Sequence, residues 1–313
     1  MPDVKFSERG IIPAGTVVCT FGVDSQADGF FWLLACWGRK MECWLPCTGR
    51  LTGDMRSEEI WKALAEVLAT GWLDHEGNLY RPAACALDVQ GQYYGECLEF
   101  IRAYGWRLRL KAIRGYSPAK GLAAGRSFGI LRNRFPDRST GVLVQTVDVD
   151  ICKTTLMTML QRKEPGAGFV HIPCNADGSA KGGWDQAATE ELEAEYPRKT
   201  NVRGYPVSRW YKKAGQPNHR FDCFVYSLVA LHLSRLKIDS CEIQRIEARN
   251  VEKSSEQKNV QERSPFGARR MIGASDLVTS DPSIGGMAGY GLSADHPRPI
   301  SWGALPGSGI NFG

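Results

Sequence analysis

Apolar residues open this chain in short unbroken runs and recur later at helical spacing. Val17 to Val23 is the first run and Phe30 to Trp37 the second, with only Asp24 to Gly29 between them. Runs of this length without polar interruption predict strands buried on both faces. We place strand one at about Thr16 to Val23 and strand two at Gly29 to Trp37. Gly38-Arg39-Lys40 turns into strand three, Met41 to Leu45, giving an antiparallel meander. The pattern then changes period. Ser57 caps a helix with an acidic first turn, and Ile60, Leu64, Val67 and Leu68 form its apolar face. Pro82 to Leu87 is again a short buried strand, followed by a helix from Tyr94 to Tyr104 and a strand from Trp106 to Ile113.

Arg114 to Arg138 has weak periodicity and reads as a long loop with a short strand near Phe128 to Leu131. Gly141 to Val147 predicts a strand, Asp150 to Gln161 a helix, and Phe169 to Pro173 a short strand. Trp184 to Glu195 reads as an acidic amphipathic helix, and Thr200 to Lys212 as a hairpin. Asn218 caps a strongly apolar helix that runs to Leu236. These alternations define an α/β fold: a mixed sheet of five or more strands with helices on both faces. Residues 1–15 form a lead-in and residues 16–236 the folded domain. Residues 237–313 form an extension, charged at first and then rich in glycine and proline, expected to be flexible or to dock on a partner.

The composition is that of a soluble protein, with 43% apolar and 23% charged residues among 313. The net charge of +5 is small, so attraction to nucleic acid requires a local basic patch. Several of the ten cysteines, among them Cys19, Cys36, Cys85, Cys97 and Cys223, lie inside apolar runs. That fits buried free thiols in a reducing compartment. Cys43 and Cys47 lack a second Cys or Cys/His pair to complete a zinc site. No run is long enough for a membrane helix.

Three acids stand out by position. Asp24 ends strand one, Asp88 ends the strand after the first helix, and Asp222 lies in the first turn of the late buried helix. Each alone has a plain reading as a turn or first-turn acid. In a β-β-β-α-β order, however, the strand after the first helix pairs parallel beside strand one, so Asp24 and Asp88 project together. A late helix packed on the sheet brings Asp222 to the same place. Clustered carboxylates repel. Mg²⁺ or Mn²⁺ relieves that repulsion, and two such ions about 3.5–4 Å apart catalyse phosphodiester hydrolysis.

This layout is that of the RNase H-like nucleases. The segments GVDSQAD, ALDVQG, AIRG, VDVDICKTTLMTML and PGAGFVHIP, and above all WYKKAGQPNHRFDCFVYSLVAL, resemble the nuclease half of the lambda-type terminase large subunit of tailed phages. The resemblance covers about Thr16 to Leu236 in order. It implies that Asp24, Asp88 and Asp222 are the catalytic metal ligands. It also implies an endonuclease that cuts concatemeric double-stranded DNA during viral genome packaging in the host cell cytoplasm. Implied partners are DNA, the terminase small subunit, an ATPase motor and, through the C-terminal tail, the capsid portal. His219 stands where the family has a glutamate. The chain carries no G-x-x-x-x-G-K-[ST] loop, so no ATP hydrolysis is expected, and the chain reads as an excised nuclease domain or a split subunit.

Further candidates surround this set. Residues 102–138 contain ten Lys or Arg and a single acid, Asp137, with Tyr104, Trp106, Tyr116 and Phe128 among them. From this stretch Arg107, Arg109, Lys111, Arg114, Lys120 and Arg126 are candidate DNA contacts; the plain alternative is a charge-guarded edge strand. Lys153 is a candidate phosphate contact or a surface lysine. Asp28, four residues after Asp24, is an additional candidate metal ligand or a turn acid. Asp148 and Asp150 read as helix-start acids, and His171 and His219 as structural residues or proton shuttles. Two other functions fit the same fold: a Holliday-junction resolvase or transposase, and a non-catalytic DNA-binding or capsid-docking module.

Overall fold

The computed structural model describes residues 11–116, 129–175, 181–202 and 205–240. Its centre is an eight-stranded mixed sheet. The meander is β1 (Val18–Gln26), β2 (Gly29–Trp37) and β3 (Cys43–Thr52). A helix α1 (Glu58–Ala69) and a two-stranded flap, β4 (Trp72–Leu73) with β5 (Leu79–Tyr80), lead to β6 (Ala84–Asp88). As expected from the sequence, β6 pairs parallel to β1, and the last paired residues are Val23 and Leu87. Helix α2 (Tyr94–Tyr104) connects to β7 (Leu110–Tyr116), which is parallel to β6. Beyond it, β8 (Leu131–Pro136) runs antiparallel to β9 (Leu143–Asp148), itself parallel to β7.

The remaining elements are α3 (Val149–Leu160), the edge strand β10 (Val170–His171), a short α4 (Gln186–Glu190), the ribbon β11 (Glu195–Val202) with β12 (Tyr205–Lys212), and α5 (His219–Ser234). The sheet carries helices on both faces. On one, Phe30 meets Trp61 of α1 edge-on at 4.9 Å, and Trp61 packs on Phe100 of α2 at 5.2 Å. On the other, Leu33, Ala35, Trp37, Ala84, Ala86 and Ile113 form one core with Leu156 of α3 and Phe221, Phe224 and Leu228 of α5. Full burial of such side chains contributes about 1.5–3 kcal/mol each, which explains why the apolar runs of β1, β2 and β6 are uninterrupted.

The mixed α/β class holds, and the order β3-β2-β1-β6-β7 is that of the RNase H-like sheet. Several boundaries differ from the sequence reading. Strand three extends to Thr52, past Pro46 and Gly49; Pro46 falls within a register irregularity between Trp44 and Cys47, and Gly49 lies under the Trp32 ring, where a Cβ would sit 2.5 Å from the indole. The segment 106–109 is a turn, so β7 begins at Leu110 and Trp106 stands 90% exposed. The expected helix Trp184 to Glu195 is only Gln186–Glu190 plus one 3₁₀ turn, and Glu195 already begins the ribbon. In the lead-in, Ile12 is fully buried and bridges Asp74. Phe128 and the extension beyond residue 240 lie outside the described residues. Nine cysteines are described as free thiols, all buried except Cys174. Among the described residues no helix is long and apolar enough to cross a membrane.

Candidate active site

Helix α5 lies directly on β1 because the strand is bare at Gly22. A Cβ there would fall 1.8 Å from the carbonyl oxygen of Cys223 and 2.6 Å from the amide nitrogen of Ser227. Thr20, two residues earlier on the same face, donates to the carbonyl of Ser227 at 2.9 Å and accepts from the indole of Trp37. Side chains alternate along a strand, so Asp24 follows Thr20 and Gly22 toward α5. On β6, Ala84 and Ala86 face the α5 core, and Asp88 follows them. Asp24 and Asp88 thus leave neighbouring parallel strands side by side, one step beyond the Val23–Leu87 pair. Asp222, in the first turn of α5, comes to the same edge.

Each carboxylate is held by a defined set of donors. Asp24 is buried, and its Oδ2 takes Nε2 of Gln26 at 2.7 Å and faces Nδ1 of His219 at 2.9 Å. The His219 ring stacks on Phe31 with centroids 4.3 Å apart and planes 8° apart. Asp88 accepts from the Tyr226 hydroxyl at 2.9 Å and from the Gln90 amide at 3.1 Å. Asp222 accepts from Asn218 at 2.8 Å and pairs with Lys153 at 3.4 Å. Lys153 reaches both oxygens of Glu195, at 2.6 and 2.7 Å, and Asn218 donates to Glu195 as well.

The electrostatics report real crowding of negative charge. Burial pushes the Asp88 carboxyl up to about 7, helped by Asp24 and Asp222, while the Gln90 and Tyr226 hydrogen bonds oppose it. Asp222 is also pushed up to about 7, by burial first; Lys153 opposes the shift, and Asp24 and Glu195 add to it. Burial works against the Lys153 ammonium, yet Asp222 and Glu195 outweigh it and raise its pKa above the ordinary lysine value. Tyr226 is raised well above the usual phenol value by burial and then by the three aspartates.

The other sequence candidates are placed as follows. The strand ends at Gln26, and Asp28 sits beyond it in the hairpin turn, exposed and paired with Arg50. Lys153 is neither a surface lysine nor free, because its ammonium is bound between two carboxylates. Asp148 is the N-cap of α3, accepting from the Ile151 amide, and is paired with Arg132. His171 contacts Glu42 at 2.7 Å and stacks on Trp44, away from the aspartates on β10. Arg107, Arg109 and Lys111 are exposed but precede Ile113, the residue opposite Asp88. At about 3.3 Å per residue, Leu110, the first residue of β7, is already roughly 10 Å down the strand from that level, and Arg107 and Arg109 lie in the turn before it. Arg114 is exposed next to Ile113 and acts on Tyr94 of α2. Lys120 and Arg126 lie outside the described residues. Glu195, Gln26, Asn218 and Tyr226 were not anticipated; the signal for Glu195 was Pro197, which disfavours helix just before it.

Among the described residues no group of three or more His, Cys, Asp or Glu side chains stands close enough to hold a metal ion as arranged. The donors offered by Asp24, Asp88 and Asp222 are nonetheless all carboxylate oxygens. That chemistry suits a hard divalent cation.

An RNase H-like α/β domain with acids converging at the carboxyl ends of its two central parallel strands defines the class. The family described as "Terminase large subunit gpA, endonuclease domain" matches residues 4–244, and the chain belongs to it. It is 25% identical over 238 residues to the terminase large subunit of Escherichia phage lambda. That alignment covers 75% of this chain and 35% of the relative, so the chain spans about a third of the relative's length. No solved structure matches the chain.

Proposed function

We propose that the chain is a divalent-cation-dependent endonuclease that cuts double-stranded DNA during viral genome packaging. The convergence of Asp24, Asp88 and Asp222 from β1, β6 and α5 supports this reading. These three would hold two ions, Mg²⁺ or Mn²⁺. When bound, the ions supply Lewis acidity that activates water and offsets charge developing on the leaving oxygen. The chain's own residues fix the ligands. Gln26 and His219 hold Oδ2 of Asp24, Tyr226 holds Asp88, and Lys153 with Asn218 holds Asp222. Lys153 places a positive charge between Asp222 and Glu195, so it competes with a cation for those oxygens. His219, fixed on Phe31, is the histidine placed to carry a proton at this edge.

The remaining setting belongs to the same proposal, and family membership supports it. It comprises concatemeric DNA as substrate, the host cytoplasm as location, and a small subunit, an ATPase motor and the capsid portal as partners. Plasmid cleavage in Mg²⁺ or Mn²⁺ tests the reading. Asp24→Asn, Asp88→Asn and Asp222→Asn should each drop to the rate of the wild type in chelator. Any one of them cutting at the wild-type rate removes that residue from the ligand set, and cleavage persisting in chelator overturns the metal dependence. Preference for a four-way junction over linear duplex would instead mark a resolvase.

A further inference from the structure

The β11–β12 ribbon has two unlike faces. Cross-strand partners run Glu195 with Lys212, Tyr196 with Tyr211, Pro197 with Trp210, and Arg198 with Arg209. With side chains alternating, Glu195, Pro197 and Trp210 share the inner face. Trp210 packs toward Phe221 of α5 at 6.2 Å, and Glu195 is tied to Lys153 and Asn218. The ribbon is therefore rooted in the surroundings of Asp222. The outer face presents Tyr196 and Tyr211, stacked at 6.2 Å with Tyr196 42% exposed, and then the two arginines.

Arg198 and Arg209 stand directly opposite each other, and like charges in that position destabilise a strand pair. The described arginine ion pairs are those of Arg50, Arg102, Arg132 and Arg220, not of these two. Nε of Arg209 is buried and has no hydrogen-bond partner among the described residues. A cleft of about 390 Å³ at His219 has the opposite arrangement. It is lined by Arg50, Arg220 and His219, and its two arginines are already neutralised by Asp28 and Glu191. Two arginines set opposite each other, with no counter-anion among the described residues, can receive an anion at their guanidinium ends. Arginine forks suit phosphate oxygens, and tyrosine hydroxyls also donate to them. A two-stranded ribbon is also narrow enough to enter the major groove of B-DNA.

We infer that the outer face of the ribbon, Tyr196, Tyr211, Arg198 and Arg209, binds the phosphate backbone of duplex DNA and seats it beside the aspartates. This rests on DNA being the substrate, as proposed above. The test is binding of the full chain to a fluorescent 30-base-pair duplex (a chosen probe of about three helical turns) in chelator, across a salt series. The double variant Arg198→Gln/Arg209→Gln should bind about tenfold or more weakly. Its slope of log K against log salt should fall by about two. Arg198→Glu places an acid opposite Arg209, so it should raise Tm while weakening binding further, which separates lost contact from lost fold. Unchanged affinity and salt slope in the double variant overturn the inference. If the double variant cuts and binds as the wild type does, the ribbon assignment falls and the nuclease reading stands. If the wild type binds through these arginines but never cuts in Mn²⁺, the nuclease reading falls and the ribbon assignment stands.

Discussion

Gly22 and Cys223 touch where a side chain would otherwise stand: a Cβ on the glycine would lie 1.8 Å from the cysteine's carbonyl oxygen. The neighbour is helix backbone and cannot swing aside. This one approach sets the height of α5 over β1, and with it the relation of Asp222 to Asp24. Gly22→Ala should therefore displace the helix, costing about 3 kcal/mol or more and reducing cleavage beyond what the lost stability explains. Gly95→Ala is the control, because a Cβ there meets nothing within 4 Å. Inside α2, alanine should be neutral or stabilise by up to about 1 kcal/mol. Urea unfolding of both variants, with cleavage assayed well below the transition, checks the pair.

Asp88 makes a prediction about pH. Its folded-state pKa is raised to about 7, above the ordinary aspartate value of 3.8. Between those values the native state keeps a proton that the unfolded chain has released. Stability of the metal-free chain therefore falls as pH rises from about 4 to about 7, and levels off above. Asp222, raised to about 7 as well, adds a slope of the same sign. Asp88→Asn keeps an acceptor for Tyr226 and removes the charge. It should raise Tm of the metal-free chain at pH 8, flatten the Tm profile between pH 4 and 7, and abolish cleavage. An unchanged profile would show that Asp88 is not held in its neutral form.

Tyr226 supports Asp88 directly, and its hydroxyl is buried against that carboxylate. Tyr226→Phe leaves the packing on the sheet and removes one hydrogen bond to a charged group, worth roughly 1.5–3 kcal/mol. Without that donor the neutral carboxyl is favoured further, so the pH-dependent loss of stability should shift to higher pH. Thermal melts of the variant at pH 5 and pH 8 measure this. The destabilisation should be larger at pH 8, where Asp88 is ionised.

The two strand aspartates were legible because each ends an apolar run that only a buried central strand explains, and parallel pairing of β1 with β6 then follows from chain order. Asp222 was legible from its place in the first turn of a helix apolar on nearly every side. Asp28 was open to two readings, ligand or turn acid, and the structure places it in the turn, where the alternation of β1 has ended at Gln26. Within the basic stretch the pairing of Ile113 with Asp88 sorts the candidates by position: Arg107, Arg109 and Lys111 come before that level, and Arg114 stands just past it. Glu195 was hidden because residues 184–195 carry a helical charge pattern. The helix stops at Glu190, and the chain turns to pair Glu195 with Lys212, the far ends of β11 and β12. A contact made by such pairing leaves little trace in local periodicity.

Lys153 sits between Glu195 and Asp222, 12% exposed in its side chain, and its ammonium is the counter-charge that lets both acids remain there. Removing one partner of a buried ion pair leaves an uncompensated charge, at a cost of about 3–5 kcal/mol. Lys153→Met should show that loss at neutral pH and recover part of it in acid, as the freed carboxyls protonate. Adding Glu195→Gln to Lys153→Met should restore about 1 kcal/mol or more, since the double variant buries fewer unpaired charges. Strictly additive losses would show that the two groups do not act as a unit. Divalent-ion binding separates the site's two uses of that charge. With the ammonium gone, Mn²⁺ should raise Tm more in Lys153→Met than in the wild type, because the cation no longer competes with a resident one. A smaller Mn²⁺-induced shift in the variant would instead assign Lys153 to orienting the ligands.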